Sequence, residues 1–359
     1  MKKLIIYMPK LSVGGMEKSL INLLNFSSLT QNYNVELFLG YLVQKEYLDM
    51  VPKEVKVYLC CKGKWNIFGK MITYFKMVIK NIRVVLKIDK YDAAISYAYQ
   101  HPILAKLARN SSKNNILFIH GNLIMAFKNQ ENRFRKVKFD KFAKVVCVSN
   151  EAKQIYNKLF PNYSGKVMTI NNFIDGSVIE NQSLETVTFN YNKPVFVTVG
   201  RCVEKVKKFS RIIKASDKLK KEGYKFSVLI IGEGENFSLY ENMITELNVN
   251  DIVYLLGKKI NPYPYIKNSS ALILSSAYEG YGIVIDEARI LNIPVISTDV
   301  ADAKEILKEG YGILCENSDE GVYNGMKKFL DEGYVITNKF DYDKFNNEMD
   351  TKLENFIKE

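Results

Sequence analysis

Two kinds of hydrophobic spacing take turns along this chain. Short runs of unbroken apolar residues are separated by stretches in which apolar residues recur every three or four positions, the pattern of buried strands and the helices between them. Strands are expected at Lys2 to Met8, Val35 to Leu42, Val55 to Leu59, Tyr91 to Tyr97, Asn115 to His120, Val145 to Ser149 and Val167 to Ile170. They resume at Pro194 to Val199, Ser227 to Ile231, Val253 to Gly257, Ala271 to Leu274 and Ile293 to Thr298. Helices are expected through Leu20, Ile21, Leu23 and Leu24, over Lys62 to Lys87, after Phe209, and over Asp341 to Lys358. Strands alternating with helices make an α/β protein. From 176 to 193 the sequence is rich in Asn, Ser and Thr and keeps no period, so it reads as a linker. It separates a domain of residues 1–175 from one of residues 194–339, each of Rossmann size.

The stretch Lys62 to Lys87 has its own character. Trp65, Ile67, Phe68, Met71, Ile72, Phe75, Val78, Ile79 and Ile82 are interleaved with Lys76, Lys80, Arg83 and Lys87 at three- and four-residue steps, which is a basic amphipathic helix. Such a helix either lies on anionic lipid or covers a sheet with its lysines turned to water.

Charge sharpens this. The net charge is +12, yet residues 1–180 hold 28 Lys and Arg against 12 Asp and Glu, while the remainder holds 23 against 27. A basic first half points to an anionic membrane, an anionic substrate or nucleic acid, and no nucleic-acid recognition element is present in the sequence. No run of eighteen apolar residues exists, and the apolar stretch Leu4 to Met8 after Met1-Lys2-Lys3 is too short for a signal peptide, so a cytoplasmic protein is expected. Cys60, Cys61, Cys147, Cys202 and Cys315 lack metal-ligand spacing and read as reduced thiols. The one Asp-x-Asp, Asp341-Tyr342-Asp343, follows no strand and reads as a helix cap, so no metal is expected.

Candidate chemistry concentrates after Ala271 to Leu274. That strand runs into Ser275-Ser276-Ala277-Tyr278-Glu279-Gly280-Tyr281-Gly282, and helical spacing returns through Glu287. A helix start beside Gly280 and Gly282 offers free N–H groups to an anion. The carboxylates of Glu279 and Glu287 repel one and accept hydrogen bonds from hydroxyls. Phosphate together with hydroxyls describes a nucleotide sugar. Elsewhere Gly14-Gly15-Met16-Glu17 joins the first strand to its helix without dinucleotide spacing. Gly200-Arg201 follows the strand Pro194 to Val199, with Lys205, Lys207 and Lys208 close behind. Gly232-Glu233-Gly234 reads as a structural turn. His101 and His120 are the chain's histidines, and His120 closes a strand, where α/β ligand sites form.

Taken together, the Glu279 to Glu287 spacing with its serines and glycines, the downstream Pro294-Val295-Ile296-Ser297-Thr298, Gly200-Arg201 and Gly14-Gly15 resemble the retaining glycosyltransferases of family 4 (group 1), including those of bacterial capsule and exopolysaccharide assembly. The resemblance implies the GT-B fold: two Rossmann-like domains facing each other across a cleft, with residues of about 340–359 crossing back as a helix to the first. It implies donor contacts from Gly14, Gly15, Arg201, Lys207, Glu279, Gly280, Tyr281, Gly282 and Glu287, and catalytic roles for Glu279, His120, Arg201 and Lys207. Arg201 and Lys207 would grip the diphosphate, with Lys205 as the rival to Lys207. Lys208 stands where the family has a small residue, and Ala301 and Ala303 where it often has glycines. No cofactor is implied beyond the nucleotide-diphosphate sugar, UDP-linked or GDP-linked, from which a hexose or N-acetylhexosamine passes to a glycan acceptor. A lipid-linked acceptor at the inner leaflet fits the basic first half, with Lys136, Lys138, Lys141 and Lys144 as a second basic run. A sugar-nucleotide epimerase of the same fold and a non-enzymatic nucleotide- or lipid-binding protein are the alternatives.

Overall fold

The computed structural model describes residues 1–359 apart from 12–13, 43–44, 62–66, 126–131, 133, 189 and 359. The chain forms two compact units, Met1–Ile174 with Asp343–Glu359, and Asp175–Tyr342.

In the first unit seven strands make one parallel sheet. They are β1 (Lys2–Leu11), β2 (Tyr33–Leu42), β3 (Lys56–Cys61), β4 (Ala93–Ser96), β5 (Asn115–Ile119), β6 (Lys144–Cys147) and β7 (Val167–Thr169), in the order β3-β2-β1-β4-β5-β6-β7. β1 is apolar almost throughout because both of its faces are covered. Leu4, Ile6 and Met8 join the helix Gly15–Phe26 in one core, and Ile5 and Tyr7 join the helices Pro102–Ser111 and Asn150–Leu159 in the other, the period of two sorting them to opposite faces.

The first of these cores is closed by the helix Tyr342–Lys358, whose Met349, Leu353, Phe356 and Ile357 are buried in it. Polar contacts fix its position. Asn346 bonds both the N–H and the C=O of Ile174, the Asp350 carboxylate accepts from the Ser28 N–H, and Asn114 and Lys144 donate to the Ile357 carbonyl.

The second unit repeats the scheme with β8 (Val195–Val199), β9 (Ser227–Ile231), β10 (Val253–Gly257), β11 (Ala271–Leu274), β12 (Val295–Thr298) and β13 (Gly312–Cys315), all parallel, in the order β10-β9-β8-β11-β12-β13. In each sheet the order reverses once, between β1 and β4 and between β8 and β11, and the crevice outside the carboxyl ends of such strands is where open α/β sheets take ligands.

The stretch expected to be a linker is in part a helix of the second unit. Gly176–Gln182 is helical, the Asp175 side chain caps it by accepting from the Val178 N–H at 3.0 Å, and Ile179 is buried. Seven residues with one buried apolar position leave too little periodicity to detect.

The helix Ile67–Val85 also departs from expectation; Trp65, before it, lies outside the described residues. Its inward face is Gly69, Thr73, Met77, Lys80 and Val84. Lys80 is buried, donating to the Asp89 carboxylate at 2.8 Å and to the Tyr91 hydroxyl, Arg83 forks onto Asp89, and Lys76 donates to the Cys60 carbonyl. The reading of a sheet cover with lysines turned to water is therefore reversed, because the residues facing water are chiefly apolar. Of the second basic run, Lys136, Lys138 and Lys141 are exposed and Lys144 is tied down.

Candidate functional site

In the second unit the site grows from the ends of β8 and β11. Past β8 the chain enters the loop Gly200–Val203, braced by the glycine turn that follows β9. A Cβ on Gly232 would lie 1.8 Å from the Gly200 carbonyl oxygen, so only glycine lets the two backbones approach, and the Cys202 N–H donates to the Glu233 carbonyl at 2.9 Å. Arg201 projects from this braced loop, exposed, and among the described residues its guanidinium has no hydrogen bond or ion pair.

Lys207 ends the short helix Glu204–Lys207 and turns toward the other loop. Its Nζ stands 2.6 Å from Glu279 Oε1, which also accepts from the Ser276 hydroxyl at 2.6 Å. The pair is mostly shielded, at 18% and 11% side-chain exposure. In the rivalry with Lys205, Lys207 is the cation that reaches Glu279. Lys208, in the family's small-residue position, adopts left-handed backbone at φ 52°, which explains why a residue without a β-carbon suits that place.

The loop after β11 is held by its carbonyls. Arg211, buried on the helix Phe209–Lys221, donates to the Ser275 carbonyl at 3.0 Å and to Asn317. Thr298 donates to the Ser276 carbonyl and Asn317 to that of Ala277. The Ser275 hydroxyl returns a bond to the Lys207 carbonyl. Sequence reading passed over Arg211 and Asn317, since a lone arginine on a helix carries no signature, and its separation from Asn317 is closed only by folding.

Gly282 then turns the chain with φ 85° into the helix Ile283–Ile290. Glu287, buried on that helix, accepts from the Tyr263 hydroxyl at 3.2 Å. At Tyr281, an expected donor contact, the side chain turns inward. The ring is buried, and its hydroxyl donates to Asp286 Oδ2 at 2.6 Å inside the unit. Asp286 in turn pairs with Arg289 at 2.8 Å, and Arg289 stacks on Tyr311 and Phe340. Burial pushes the Asp286 carboxyl up while Arg289 beside it pulls it back, and the Tyr281 phenol is raised well above its ordinary value by burial first and then by Asp286. This cluster anchors the Gly280–Gly282 loop from beneath.

Gly14, Gly15 and His120 belong to the first unit. Gly14 precedes the helix Gly15–Phe26, and the buried Glu17 carboxylate folds back so far that a Cβ on Gly14 would lie 2.5 Å from it. His120 closes β5, with its ring 4.5 Å from that of Tyr97, and the Tyr97 hydroxyl bonds Ser19. Burial lowers the imidazole to about 3, against a weaker opposing bond to the Tyr97 backbone. His120 is thus neutral near pH 7, and its Nε2 is enclosed without a hydrogen-bond partner. Among the described residues no cluster of His, Cys, Asp or Glu is built to hold a metal.

Residues 180–351 match the family described as Glycosyl transferases group 1. An uncharacterized glycosyltransferase of Methanocaldococcus jannaschii is 27% identical over 62% of this chain, which spans 57% of that protein's length. The N-acetylgalactosamine-N,N'-diacetylbacillosaminyl-diphospho-undecaprenol 4-alpha-N-acetylgalactosaminyltransferase of Campylobacter jejuni is 25% identical over 92% of this chain and 91% of its own. Among solved structures, Anabaena Alr3699/HepE in complex with UDP and glucose superposes with a TM-score of 0.73 at 16% identity, covering 99% of this chain and 100% of that one. Residues 180–351 are a group 1 glycosyltransferase domain, and the two parallel sheets of the chain are those of the GT-B fold.

Proposed function

We propose that this protein is a retaining, metal-independent glycosyltransferase that moves a hexose or N-acetylhexosamine from a UDP-sugar to a lipid-linked glycan in surface polysaccharide assembly. The observation that carries the reading is the Lys207 to Glu279 contact of 2.6 Å, together with an Arg201 guanidinium unpaired among the described residues, on the loops that follow β8 and β11, where the order of the second sheet reverses.

Transfer requires the leaving diphosphate to be neutralised as charge develops on it, and fixed cations do this without reorganising at the moment of reaction. Among the described residues Arg201 has no partner to give up when phosphate arrives. Lys207 exchanges Glu279 for phosphate, which releases the Glu279 carboxylate to accept from the donor sugar's hydroxyls. Glu287, oriented by Tyr263, takes the ribose hydroxyls, and the Gly280–Gly282 backbone approaches the donor closely. In front-face substitution the leaving phosphate takes the acceptor's proton while the new bond forms on the same face, so the protein contributes positioning and electrostatics.

UDP as the donor nucleotide is supported by the likeness to a UDP-bound structure, and a polyprenyl-diphosphate acceptor by the Campylobacter relative's name. A panel of UDP- and GDP-sugars, assayed in the presence of a chelator with undecaprenyl-diphosphate-linked and soluble glycans, tests the donor, acceptor and metal together, and the anomeric signal of the product tests retention. Turnover that needs a divalent ion, or an inverted product, removes the mechanism. Inversion at C2 of the donor without transfer would establish the epimerase instead.

A further inference from the structure

The helix Ile67–Val85 carries its apolar residues on the outside. At 100° per residue, Ile67, Phe68, Met71, Phe75, Ile79 and Ile82 fall with their apolar neighbours on an arc of roughly 160°, opposite the buried Thr73 and Met77. Phe68 is 74% exposed, Phe75 64% and Ile82 50%, and the exposed row continues through Leu86 and Ile88. Single exposed apolar residues are ordinary, but an unbroken face of them marks a surface that something covers.

We propose that this face inserts into the headgroup and acyl boundary of an anionic bilayer, holding the first unit on the membrane as an interfacial helix. Two observations select lipid. The helix bears no Asp or Glu, and its flanks carry Lys70, Lys76 and Arg83. Beside it Lys76, Lys80 and Arg83 line a cavity of about 230 Å³ with the single carboxylate of Asp89, an excess of cations on that side of the helix. A second copy of this chain would set the same cationic flanks against each other, with no acid on the helix to offset them, whereas anionic headgroups offset them and need no matching shape. Anchorage is then mainly apolar, and the cations add a preference for negative lipid. Only the purpose of the insertion rests on the proposed lipid-linked acceptor.

Flotation with phosphatidylcholine vesicles, with and without a quarter of phosphatidylglycerol, at about 0.1 M and about 1 M salt reads the interaction, since screening removes charge attraction and leaves apolar insertion. The protein is expected to float with the anionic vesicles at low salt and to remain partly bound at high salt. The double variant Phe75→Ser with Ile82→Ser should partition at least tenfold less at both salts, with an unchanged melting temperature and unchanged UDP-sugar hydrolysis. Equal flotation of the variant overturns the proposal, as does complete release of the wild type at high salt. A wild-type dimer in sedimentation that the variant dissociates, without vesicle binding, assigns the face to a second copy instead. Flotation with no sugar transfer leaves the insertion standing and removes the transferase reading alone.

Discussion

Arg201 can be changed without disturbing anything it holds, because among the described residues nothing in the protein holds it. Arg201→Ala is expected to lower sugar transfer by about 10² to 10³-fold, the effect of removing one preorganised cation from a developing charge, while melting stays within about 0.5 kcal/mol. Steady-state kinetics beside thermal unfolding separates the two, and wild-type turnover removes Arg201 from the site. His120 gives the opposite kind of residue-level prediction. Its folded value of about 3 lies below that of the unfolded chain, so the unfolded state binds more protons between about 3 and 6.5. Its contribution is fully present above about 6.5 and is lost as pH falls toward 3. His120→Asn should flatten the acid side of the melting-temperature profile between pH 6.5 and pH 4, and an unchanged slope would show that His120 titrates normally. The sequence disclosed Arg201 through its motif and His120 through its strand end. It hid the environment of each, because whether a side chain is enclosed depends on residues as remote as Tyr97 and Phe118 in the packed sheet.

Among the elements, the loop and helix from Ser275 to Ile290 were legible and their support was not. Two glutamates at fixed spacing with glycines between them can be read from a string of letters. The buried pair of Asp286 and Arg289 beneath them looks, in that string, like any polar turn of a helix. Asp286→Ala leaves the buried Arg289 guanidinium with only the longer 3.4 Å contact to the exposed Glu309, and should cost about 3 kcal/mol, whereas Asp286→Leu combined with Arg289→Met should recover most of it. Denaturant melts of both variants decide, and a harmless single variant would show the pair to be solvated. Lys208 predicts the reverse sign. Its left-handed backbone costs an L-residue about 1 to 2 kcal/mol, so Lys208→Gly should stabilise the second unit by about 1 kcal/mol even though the partly exposed pair with Glu204 is lost. The helix Ile67–Val85 shows a different limit of sequence reading. Periodicity reveals that a helix has two faces but not which of them turns inward, and of the two readings it left open, the one with lysines turned to water is not what the structure shows. β13 and the helix Asp319–Glu332 behind it went unremarked, since a four-residue strand opening with glycine offers little pattern.

For the whole molecule, the doubled α/β scheme was legible because continuous apolar strands and periodic helices repeat with the same grammar in both halves. What periodicity alone did not show is that the helix Tyr342–Lys358 is a wall of the first core. Deleting residues 343–359 removes Met349, Leu353, Phe356 and Ile357 from the first core and should abolish the first unit's calorimetric transition while the second unit's survives. Loss of both transitions together would show a single cooperative unit. The same helix also sets an order of events during synthesis. All seven strands of the first sheet are made before Asp175, yet their last covering layer is translated only after the whole second unit, Asp175–Tyr342, has been made. At about 5 to 20 residues per second that is a wait on the order of ten to thirty seconds, during which the part of the first core that Met349, Leu353, Phe356 and Ile357 complete stays open. The usual precedence of the leading half is inverted: on the ribosome the trailing unit is complete first, and the nascent first unit is the one a chaperone would find.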